Sequence, residues 1–231
     1  MRVLVVIPAY NEEESILGVV ESVRAAGFDY VVINDGSSDG TAAVCRRHGI
    51  NCVNLPQNLG IGGAVQTGHI YAFEHGYDVD VQMDGDGQHD VAYVPRLLEA
   101  IEGGADLAIG SRFVEPGAGF KSTRLRRLGI SWLKGCIRRH AGITITDATS
   151  GFRASGRRAL ELFSRRYPMD YPEPESIVYA HNAGLQVREV PVEMHERQGG
   201  KSSIGAFGSV YYMIKVTCAI AIEGILGKRR G

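Results

Sequence analysis

The 231 residues, 44% of them hydrophobic and 22% charged, suit one soluble domain and are enough to bury a sizeable core. The first apolar run, residues 3–7, is too short for a signal peptide and is followed by acidic residues, so no signal peptide is expected. The four cysteines lack paired metal-binding spacing, which argues against a cysteine-ligated zinc site and indicates a reducing compartment.

The net charge of −1 hides an uneven distribution of charge. Residues 121–166 contain twelve Lys or Arg side chains and two acidic ones, Asp147 and Glu161, whereas the remainder of the chain contains thirteen basic and twenty-four acidic residues. A block this basic indicates an anionic partner such as a phosphate, a lipid headgroup or a nucleic acid. The alternative, a solvated basic face, accounts for only some of these twelve side chains.

The hydrophobic pattern predicts strands and helices that alternate along the chain. Strands are predicted at residues 2–7, 30–33, 51–55, 79–83, 106–109 and 186–194. One helix is predicted to follow Asn11, and a separate helix is predicted to end at about residue 76. Further helices are predicted at 93–102, at 124–139, and from the end of the proline-rich segment 171–175 to residue 183. This alternation predicts an α/β fold with a mostly parallel sheet flanked by helices.

Polar residues follow the first two predicted strands. Asn11 is expected to cap the first helix, whose first turn carries Glu13 and Glu14. Asp35 ends the second strand and offers a carboxylate to a nucleobase or a ribose hydroxyl, while Asp39 is expected to cap the next helix. Because open α/β sheets bind ligands at the carboxyl ends of their strands, this edge is the predicted site.

The most informative stretch is the acidic loop after the buried run that begins at residue 79. Asp84 and Asp86 are two residues apart, and in an extended segment such side chains point to one side. Two carboxylates that close repel each other unless a cation lies between them, and hard oxygen ligands suit Mg²⁺ or Mn²⁺. Gly85 and Gly87 leave room for a ligand, and the next two residues add an amide oxygen and an imidazole nitrogen.

This loop has three other interpretations. A plain surface turn is common in general but does not fit a loop that directly follows a buried strand. A calcium loop requires a different third ligand and a glycine where Gln88 and His89 stand. The nucleophile loop of an aspartate-dependent phosphatase is the serious alternative, although that class should carry Thr or Val at Gln88 and a downstream acidic pair, and neither is evident.

Basic and apolar segments predict contacts with phosphates and membranes. Helix 124–139 has an apolar face and a basic face, which indicates either a membrane surface or a core-packed helix with a solvated side. The loop 196–203 carries Arg197 and Lys201 and is expected to close over a diphosphate. Residues 204–226 are nearly all apolar, but Lys215 near their centre disfavours a membrane span. They predict a helix in the membrane interface, on a membrane partner, or buried in the core.

Seven short motifs together resemble family 2 glycosyltransferases of the GT-A fold, and most closely the polyprenyl-phosphate glycosyltransferases similar to dolichol-phosphate mannose synthase. Any one motif is weak, but their order and spacing along nearly the whole chain are specific. They are residues 8–12 (PAYNE), 35–37 (DGS), 58–60 (NLG), 84–89 (DGDGQH), 110–112 (GSR), 150–153 (SGFR) and 196–202 (ERQGGKS). One departure is Asn34, where the family often has a second aspartate.

The resemblance implies roles for residues at the matching positions. The nucleotide sugar would be bound by Pro8, Tyr10, Glu12, Asp35, Asp84, Gly85 and Asp86. The metal, Mg²⁺ or Mn²⁺, would be held by Asp84, Asp86 and Gln88. The residues expected to act in catalysis are Asp86, Arg112, Arg197 and Lys201. The acceptor phosphate would be contacted by Arg112, Arg124 and Arg153.

The same resemblance implies the reaction and the location. A metal-dependent, inverting transfer would move a hexose from a GDP- or UDP-linked donor to a polyprenyl phosphate at the cytoplasmic face of the membrane. Residues 1–203 would form the glycosyltransferase domain, and residues 204–231 a helix for the membrane interface or a small membrane protein partner. No nucleic acid partner is expected.

Two further functions stay open at this point. The first is transfer to a saccharide hydroxyl in cell-surface polysaccharide synthesis, which would need a general base such as His89 or an acidic residue near the basic loop. The second is a catalytically inactive membrane adaptor of the same fold. Metal-dependent hydrolysis of a nucleotide sugar would argue against the adaptor.

Overall fold

The computed structural model describes residues 1–114, 124–195 and 215–225, apart from the side chains of residues 124–128 and 130. The strands are β1 (Val3–Ala9), β2 (Asp29–Asn34), β3 (Cys52–Asn54), β4 (Val79–Gln82), β5 (Leu107–Ser111), β6 (Arg153–Ser155) and β7 (Val187–Pro191). The helices are α1 (Ile16–Ala25), α2 (Thr41–Arg47), α3 (Gly60–Glu74), α4 (Val94–Glu102), α5 (Arg124–Ala141), α6 (Arg157–Arg165) and α7 (Pro172–Asn182). Residues 215–225 are also helical and are called α8.

The strands form one sheet in the order β3-β2-β1-β4-β6-β5-β7. Neighbouring strands are parallel except at β6, which lies between β4 and β5 and is antiparallel to both. Because β6 is antiparallel to both of its neighbours, β4 and β5 run parallel to each other, and their carboxyl ends lie on one edge of the sheet. The prediction of a mostly parallel sheet flanked by helices is confirmed.

Side chains along the central strands point alternately to the two faces of the sheet, and each face packs against its own layer of core. Val5 and Ile7 of β1 pack with α1 and α4 on one side of the sheet, whereas Leu4 and Val6 pack with α3 and α6 on the other. Each fully buried aliphatic side chain contributes about 1.5–3 kcal/mol to folding. A third cluster joins α5, α6, α7 and α8 around the β5 side chains.

The side of β4 that faces α3 is unusual because it is polar. Asp80 and Gln82 alternate with the core residues Val79 and Val81, and both polar side chains are buried. His69 of α3 contacts Asp80, with 2.5 Å between Nδ1 and Oδ2. A strand with one apolar and one polar buried face therefore leads into the acidic loop.

The helix α8 has one buried face and one exposed face. Val216 and Ile220 belong to the core cluster shared with α5 and α7, whereas Ile222 and Ile225 are exposed. Within the described parts of the chain, no helix is both long and apolar enough to cross a membrane. The buried face agrees with a helix packed on the core, and the predicted contact with a membrane interface stays a prediction.

Four details of the predicted elements are wrong. Neither β6, which begins at Arg153, nor α6 was predicted. Proline-rich sequence was expected to precede α7, yet Pro172 is its first residue, a position where the missing amide has no helical partner to lose. The strand β4 ends at Gln82, two residues before Asp84.

Asn11, the fourth error, does not cap α1. It adopts a left-handed backbone conformation (φ 57°), and its Oδ1 accepts a hydrogen bond from the Ser38 amide at 2.8 Å, while α1 begins only at Ile16. Asp39 does accept from the Thr41 amide at 2.9 Å at the start of α2, as expected of a capping side chain.

Candidate active site

Backbone hydrogen bonds connect the carboxyl end of β1 to the polar loops that follow β2 and β4. The amide of Asp35, after β2, donates to the carbonyl of Ala9 at 2.9 Å. The amide of Gly85, after β4, donates to the carbonyl of Pro8 at 3.3 Å. Since β2, β1 and β4 are neighbours in the sheet, these two bonds bring the predicted nucleoside-binding and metal-binding loops side by side.

Asp35, which is predicted to bind the nucleoside, is 3% exposed. Burial raises the pKa of Asp35, and hydrogen bonds from the Leu59 and Gly60 amides oppose that rise. The Leu59 amide lies 2.7 Å from Oδ1. A Cβ on Gly36 would lie 2.7 Å from the Asn58 nitrogen, so a side chain there would separate the two loops.

The β1 loop presents one exposed ring and one buried carboxylate. Tyr10 is 48% exposed and offers an aromatic face beside the loop. Glu12 is buried, and its carboxylate accepts from the Ser15 hydroxyl at 3.0 Å while its amide donates to Thr41 Oγ1 at 2.9 Å. These contacts give Glu12 a role in holding the loop, and its predicted contact with a nucleotide stays a prediction.

The acidic loop is a turn rather than a continuation of β4. The alternation argument therefore does not apply to Asp84 and Asp86, whose positions are set by local contacts instead. Asp86 is 6% exposed, and its Oδ1 accepts from the Gln88 amide at 3.0 Å. The amide of Asp84 donates to His89 Nδ1 at 3.0 Å, and the His89 ring stacks on Phe152 with 4.9 Å between centroids.

The Asp84 contact fixes the protonation pattern of His89. Because Nδ1 accepts a hydrogen bond, the proton of the neutral imidazole lies on Nε2, 3.7 Å from Asp84 Oδ2. Neither nitrogen then presents a lone pair to a metal or to an acceptor hydroxyl. This geometry favours a positioning role for His89 over the roles of metal ligand or general base considered from the sequence.

The residues at this turn fit a hard divalent cation. Among the described residues there is no cluster of three or more His, Cys, Asp or Glu side chains that could enclose an ion. A pair of carboxylates suits Mg²⁺ or Mn²⁺, which keep open positions for phosphate oxygens. A Cβ on Gly151 would lie 3.2 Å from both Asp84 carboxylate oxygens, so the absence of a side chain there leaves that carboxylate accessible. Gln88 donates its amide nitrogen to the His195 carbonyl at 3.4 Å, which leaves its oxygen as the atom a metal would bind.

Arg112, after β5, is held by a buried carboxylate. Its Nε and Nη2 donate to the two oxygens of Asp147 at 2.7 and 2.8 Å, and Asp147 is fully buried. Glu189 of β7 accepts from the amides of Thr146 and Asp147, at 2.8 Å each. The structure thus gives Arg112 a fixed position on the edge, and its predicted contact with phosphate stays a prediction.

Arg153, the first residue of β6, points into the protein. Its Nε donates to the Ser150 carbonyl at 2.7 Å and its Nη1 to the Ser176 hydroxyl at 2.8 Å. The side chain is 3% exposed and joins β6 to α7. These contacts favour a structural role over the predicted contact with an acceptor phosphate.

Three predicted site residues cannot be placed. Arg197 and Lys201 lie outside the described residues, as does the expected closure of their loop. The backbone of Arg124 begins α5, but its side chain is not among those described.

Glu173 in the first turn of α7 was missed by the sequence analysis. Burial raises the pKa of the Glu173 carboxyl, Arg153 opposes that rise, and Asp84 adds a smaller increase. Asp147 and Glu189 were also missed, because their partners are distant in sequence. The signal for Glu173 is a carboxylate between two prolines at a helix start.

Residues 4–163 match the family described as Glycosyl transferase family 2. The polyprenol monophosphomannose synthase of Mycolicibacterium smegmatis is 35% identical, over all of this chain and 91% of that protein. The undecaprenyl-phosphate mannosyltransferase of Micrococcus luteus is 35% identical, over 88% of each chain.

Solved structures with the same fold include glucosyl-3-phosphoglycerate synthase from Mycobacterium tuberculosis in complex with Mn²⁺, UDP-glucose and phosphoglyceric acid. The likeness covers 96% of this chain and 79% of that chain with a TM-score of 0.72, at 19% identity, and it supports the GT-A fold alone. The family match spans more than half of the chain and agrees with the relatives that align along its length. This chain therefore belongs to glycosyl transferase family 2 and is a glycosyltransferase.

Proposed function

We propose that this protein transfers a hexose from a GDP- or UDP-linked donor to a polyprenyl phosphate, with inversion at the anomeric carbon and with Mg²⁺ or Mn²⁺ as cofactor. The observation that carries the proposal is the coincidence of two features. The Asp84–Asp86 turn lies on the ligand-binding edge of a family 2 fold, and the chain aligns along its length with two enzymes named for polyprenyl phosphate mannosyl transfer.

Two neighbouring loops are proposed to bind different parts of the donor. Asp35 and Tyr10 lie on the side proposed for the nucleoside, and Asp84 and Asp86 on the side proposed for the diphosphate. A divalent ion bound at Asp84, Asp86 and Gln88 would neutralise charge on the departing nucleoside diphosphate. Arg112, which Asp147 holds in place, is proposed to contact a phosphate, together with Arg197 and Lys201.

The acceptor chemistry explains why a strong base is unnecessary. A lipid phosphate is already ionised at neutral pH, so its oxygen can attack the anomeric carbon directly. Attack opposite the leaving diphosphate inverts the configuration. The protonation pattern of His89, with its proton on Nε2 beside Asp84, agrees with a reaction that takes no proton from the acceptor.

Contact with the membrane surface is proposed through α5 and α8. Trp132 is 59% exposed and donates its indole N–H to Thr217 of α8 at 3.0 Å, and Ile222 and Ile225 of α8 are also exposed. Exposed Arg138 and Arg139 accompany them on α5. Aromatic, aliphatic and cationic side chains together suit an anionic lipid interface, while residues 204–231 remain the proposed site for a membrane protein partner.

The transfer proposal is tested by incubating the full chain with labelled GDP-mannose or UDP-glucose, Mn²⁺ and undecaprenyl phosphate. Label should enter the lipid fraction, the product should have the inverted anomeric configuration, and EDTA should abolish the reaction. Undecaprenol and a soluble oligosaccharide serve as hydroxyl acceptors. Transfer to the oligosaccharide without transfer to the lipid phosphate would replace this proposal with polysaccharide synthesis.

The membrane proposal is tested by liposome flotation with and without anionic lipid, at low and high salt. Binding should require anionic lipid and weaken with salt, because each near-surface cation contributes about 1 kcal/mol. Replacing Ile222 and Ile225 by Asn should reduce binding, whereas Ile70→Asn, at an exposed isoleucine of α3, should not. Equal binding by both variants would show that α8 does not touch the membrane.

A further inference from the structure

Gln82, the last residue of β4, carries a buried hydrogen-bond donor that has no partner. Its side chain is 4% exposed, and its Nε2 forms no hydrogen bond with any of the described residues. Most buried polar groups in folded proteins are paired, so such an exception needs a physical explanation. Because Gln82 lies only two residues before Asp84, the acidic turn is the nearest part of the chain that could supply an acceptor.

The register of the sheet shows which way the Gln82 amide points. Gln82 pairs with Arg153 of β6, and since the two strands are antiparallel, the residues before Arg153 lie on the side where β4 ends. Gly151 is one of these residues, and a Cβ built on it would lie 3.1 Å from Gln82 Nε2. The amide nitrogen therefore points toward the acidic turn and away from Asp80, which lies two residues earlier in the strand.

The acceptor on that side is the Asp84 carboxylate. The Cβ built on Gly151 would lie 3.2 Å from each of its two oxygens, as well as 3.1 Å from Gln82 Nε2. Two atoms within 3.2 Å of one point are no farther apart than twice that distance. Rotation about the side-chain bonds of Gln82 and Asp84 can close such a gap, and residue 151 has no side chain to stand between them.

The two carboxylates of the acidic turn differ in how they are held. Asp86 Oδ1 accepts from the Gln88 amide at 3.0 Å. Within the described parts of the chain, the Asp84 carboxylate accepts no hydrogen bond, and His89 Nε2 is too far away to donate to it, at 3.7 Å from Oδ2. Asp84 is thus the proposed metal ligand that still needs a group to orient it.

A carboxamide is well suited to orient a carboxylate that also binds a cation. Its N–H donates without adding charge, whereas a lysine or arginine in the same place would compete with the ion for the carboxylate. Arg153, the neighbour of Gln82 on β6, does not take this role, because its Nε and Nη1 donate to the Ser150 carbonyl and the Ser176 hydroxyl. Gln82 is therefore the neutral donor beside Asp84.

We propose that Gln82 is a positioning residue of the metal site. Its Nε2 donates a hydrogen bond to one carboxylate oxygen of Asp84 and leaves the other oxygen to the ion. Metal ligands are commonly oriented by hydrogen bonds of this kind, from residues that do not touch the ion. The inference rests on the proposed function, because it needs Mg²⁺ or Mn²⁺ at Asp84 and Asp86.

The test compares Gln82→Met with the wild type in the full chain, because methionine has a similar length and no N–H donor. Titration of Mn²⁺ with GDP or UDP present, followed by electron paramagnetic resonance, should show about 10-fold weaker binding, the scale for losing a group that orients a metal ligand. The unfolding temperature without metal should stay the same or rise, because the variant loses a buried donor that has no partner.

Ser155→Ala is the matched control. Ser155 is also a buried polar residue on the strand pair of β4 and β6, but it lies opposite Asp80 and thus deeper in the sheet than Gln82. This variant should leave the affinity for Mn²⁺ unchanged. If Gln82→Met does not fold by circular dichroism, Gln82→Leu gives the same comparison with a different apolar shape.

Three results would overturn the inference. Equal Mn²⁺ affinity in Gln82→Met and the wild type would show that Gln82 does not orient Asp84. Weaker Mn²⁺ binding with a lower metal-free unfolding temperature, or failure of both Gln82 variants to fold, would show that the amide stabilises the fold instead. A wild-type chain that binds no Mn²⁺ with either nucleotide would also remove the metal from the proposed function, whereas the first two results leave that function intact.

Discussion

The edge of the sheet that is proposed to bind the donor has two regions that are stabilised differently. The first region comprises the carboxyl ends of β1, β2 and β4, where backbone amides hold carboxylates, as between Leu59 and Asp35. The second region comprises the end of β5 with residues 147–153 and 172–175, where buried side chains pair with one another, as between Arg112 and Asp147. Loop shape therefore depends on the backbone in the first region and on charge pairing in the second.

Because of this difference, substitutions in the two regions should affect activity and stability differently. In the first region a carboxylate can be changed to its amide without losing the amide contact that shapes the loop. In the second region a single substitution leaves a buried charge without its partner, which destabilises the fold. Substitutions in the first region should thus change activity at nearly constant stability, and those in the second should change stability first.

The largest effect is expected for Asp86→Asn in the first region. Loss of the carboxylate should reduce transfer and metal-dependent donor binding by about 100-fold or more, the scale for removing a catalytic electrostatic group. Thermal unfolding should change little, because Asn retains the oxygen that accepts from the Gln88 amide. Asp90→Asn is the matched control, since Asp90 makes the same contact with the Ala92 amide at 2.9 Å. Comparable losses in both variants would contradict the metal assignment.

In the second region, Asp147→Ala should lower the free energy of unfolding by about 3–5 kcal/mol, because it leaves the buried Arg112 charge uncompensated. Urea denaturation measures this loss. The exposed pair between Glu161 and Arg165 is the control, and Glu161→Ala should cost no more than about 1 kcal/mol. Similar losses for the two variants would mean that the Arg112 pair does not stabilise this region.

Gly151→Ala tests the junction of the two regions. The new Cβ would lie 3.2 Å from the Asp84 oxygens, so metal affinity should fall by about 10-fold, as for other substitutions that disturb a metal ligand. Manganese titration with nucleoside diphosphate present measures it. Gly18→Ala, where a Cβ meets open space in α1, should leave metal affinity unchanged. An unaltered affinity in Gly151→Ala would show that Asp84 tolerates a side chain beside it.

The smallest effect concerns the pH dependence of stability, which should have opposite sign in the two regions. Burial and Glu223 raise the pKa of Glu175, so the folded chain binds that proton more tightly and stability rises as pH falls from neutral through the raised pKa. For Asp39, burial is outweighed by hydrogen bonds from Thr41, the pKa is lowered, and stability is lost as pH falls through the usual range. Thermal unfolding across pH should therefore become steeper towards acid in Glu175→Gln and flatter in Asp39→Asn. If the pH dependence of thermal stability changed in the same direction in both variants, the two regions would not differ in this respect.

The sequence predicted the first region better than the second because its interactions are local. The strand periodicity of β1, β2 and β4 and the short spacing from Asp84 to Gln88 placed the acidic turn correctly, although the strand ended earlier than expected. In the second region, Asp147 meets Arg112 from 35 positions away and Glu189 from 42. A three-residue strand such as β6 also has no periodicity to detect.

The strand β6 has a consequence for how the chain reaches this structure. Its Ala154 pairs with Val81 of β4 on one side and with Ala108 of β5 on the other, so three residues connect the two portions of the sheet. The partners in β4 precede β6 by about seventy positions, and closing such a loop carries an entropic cost that must be met before the new contacts form. We therefore expect β6 to dock late in folding, so that this edge of the sheet becomes continuous only when docking is complete.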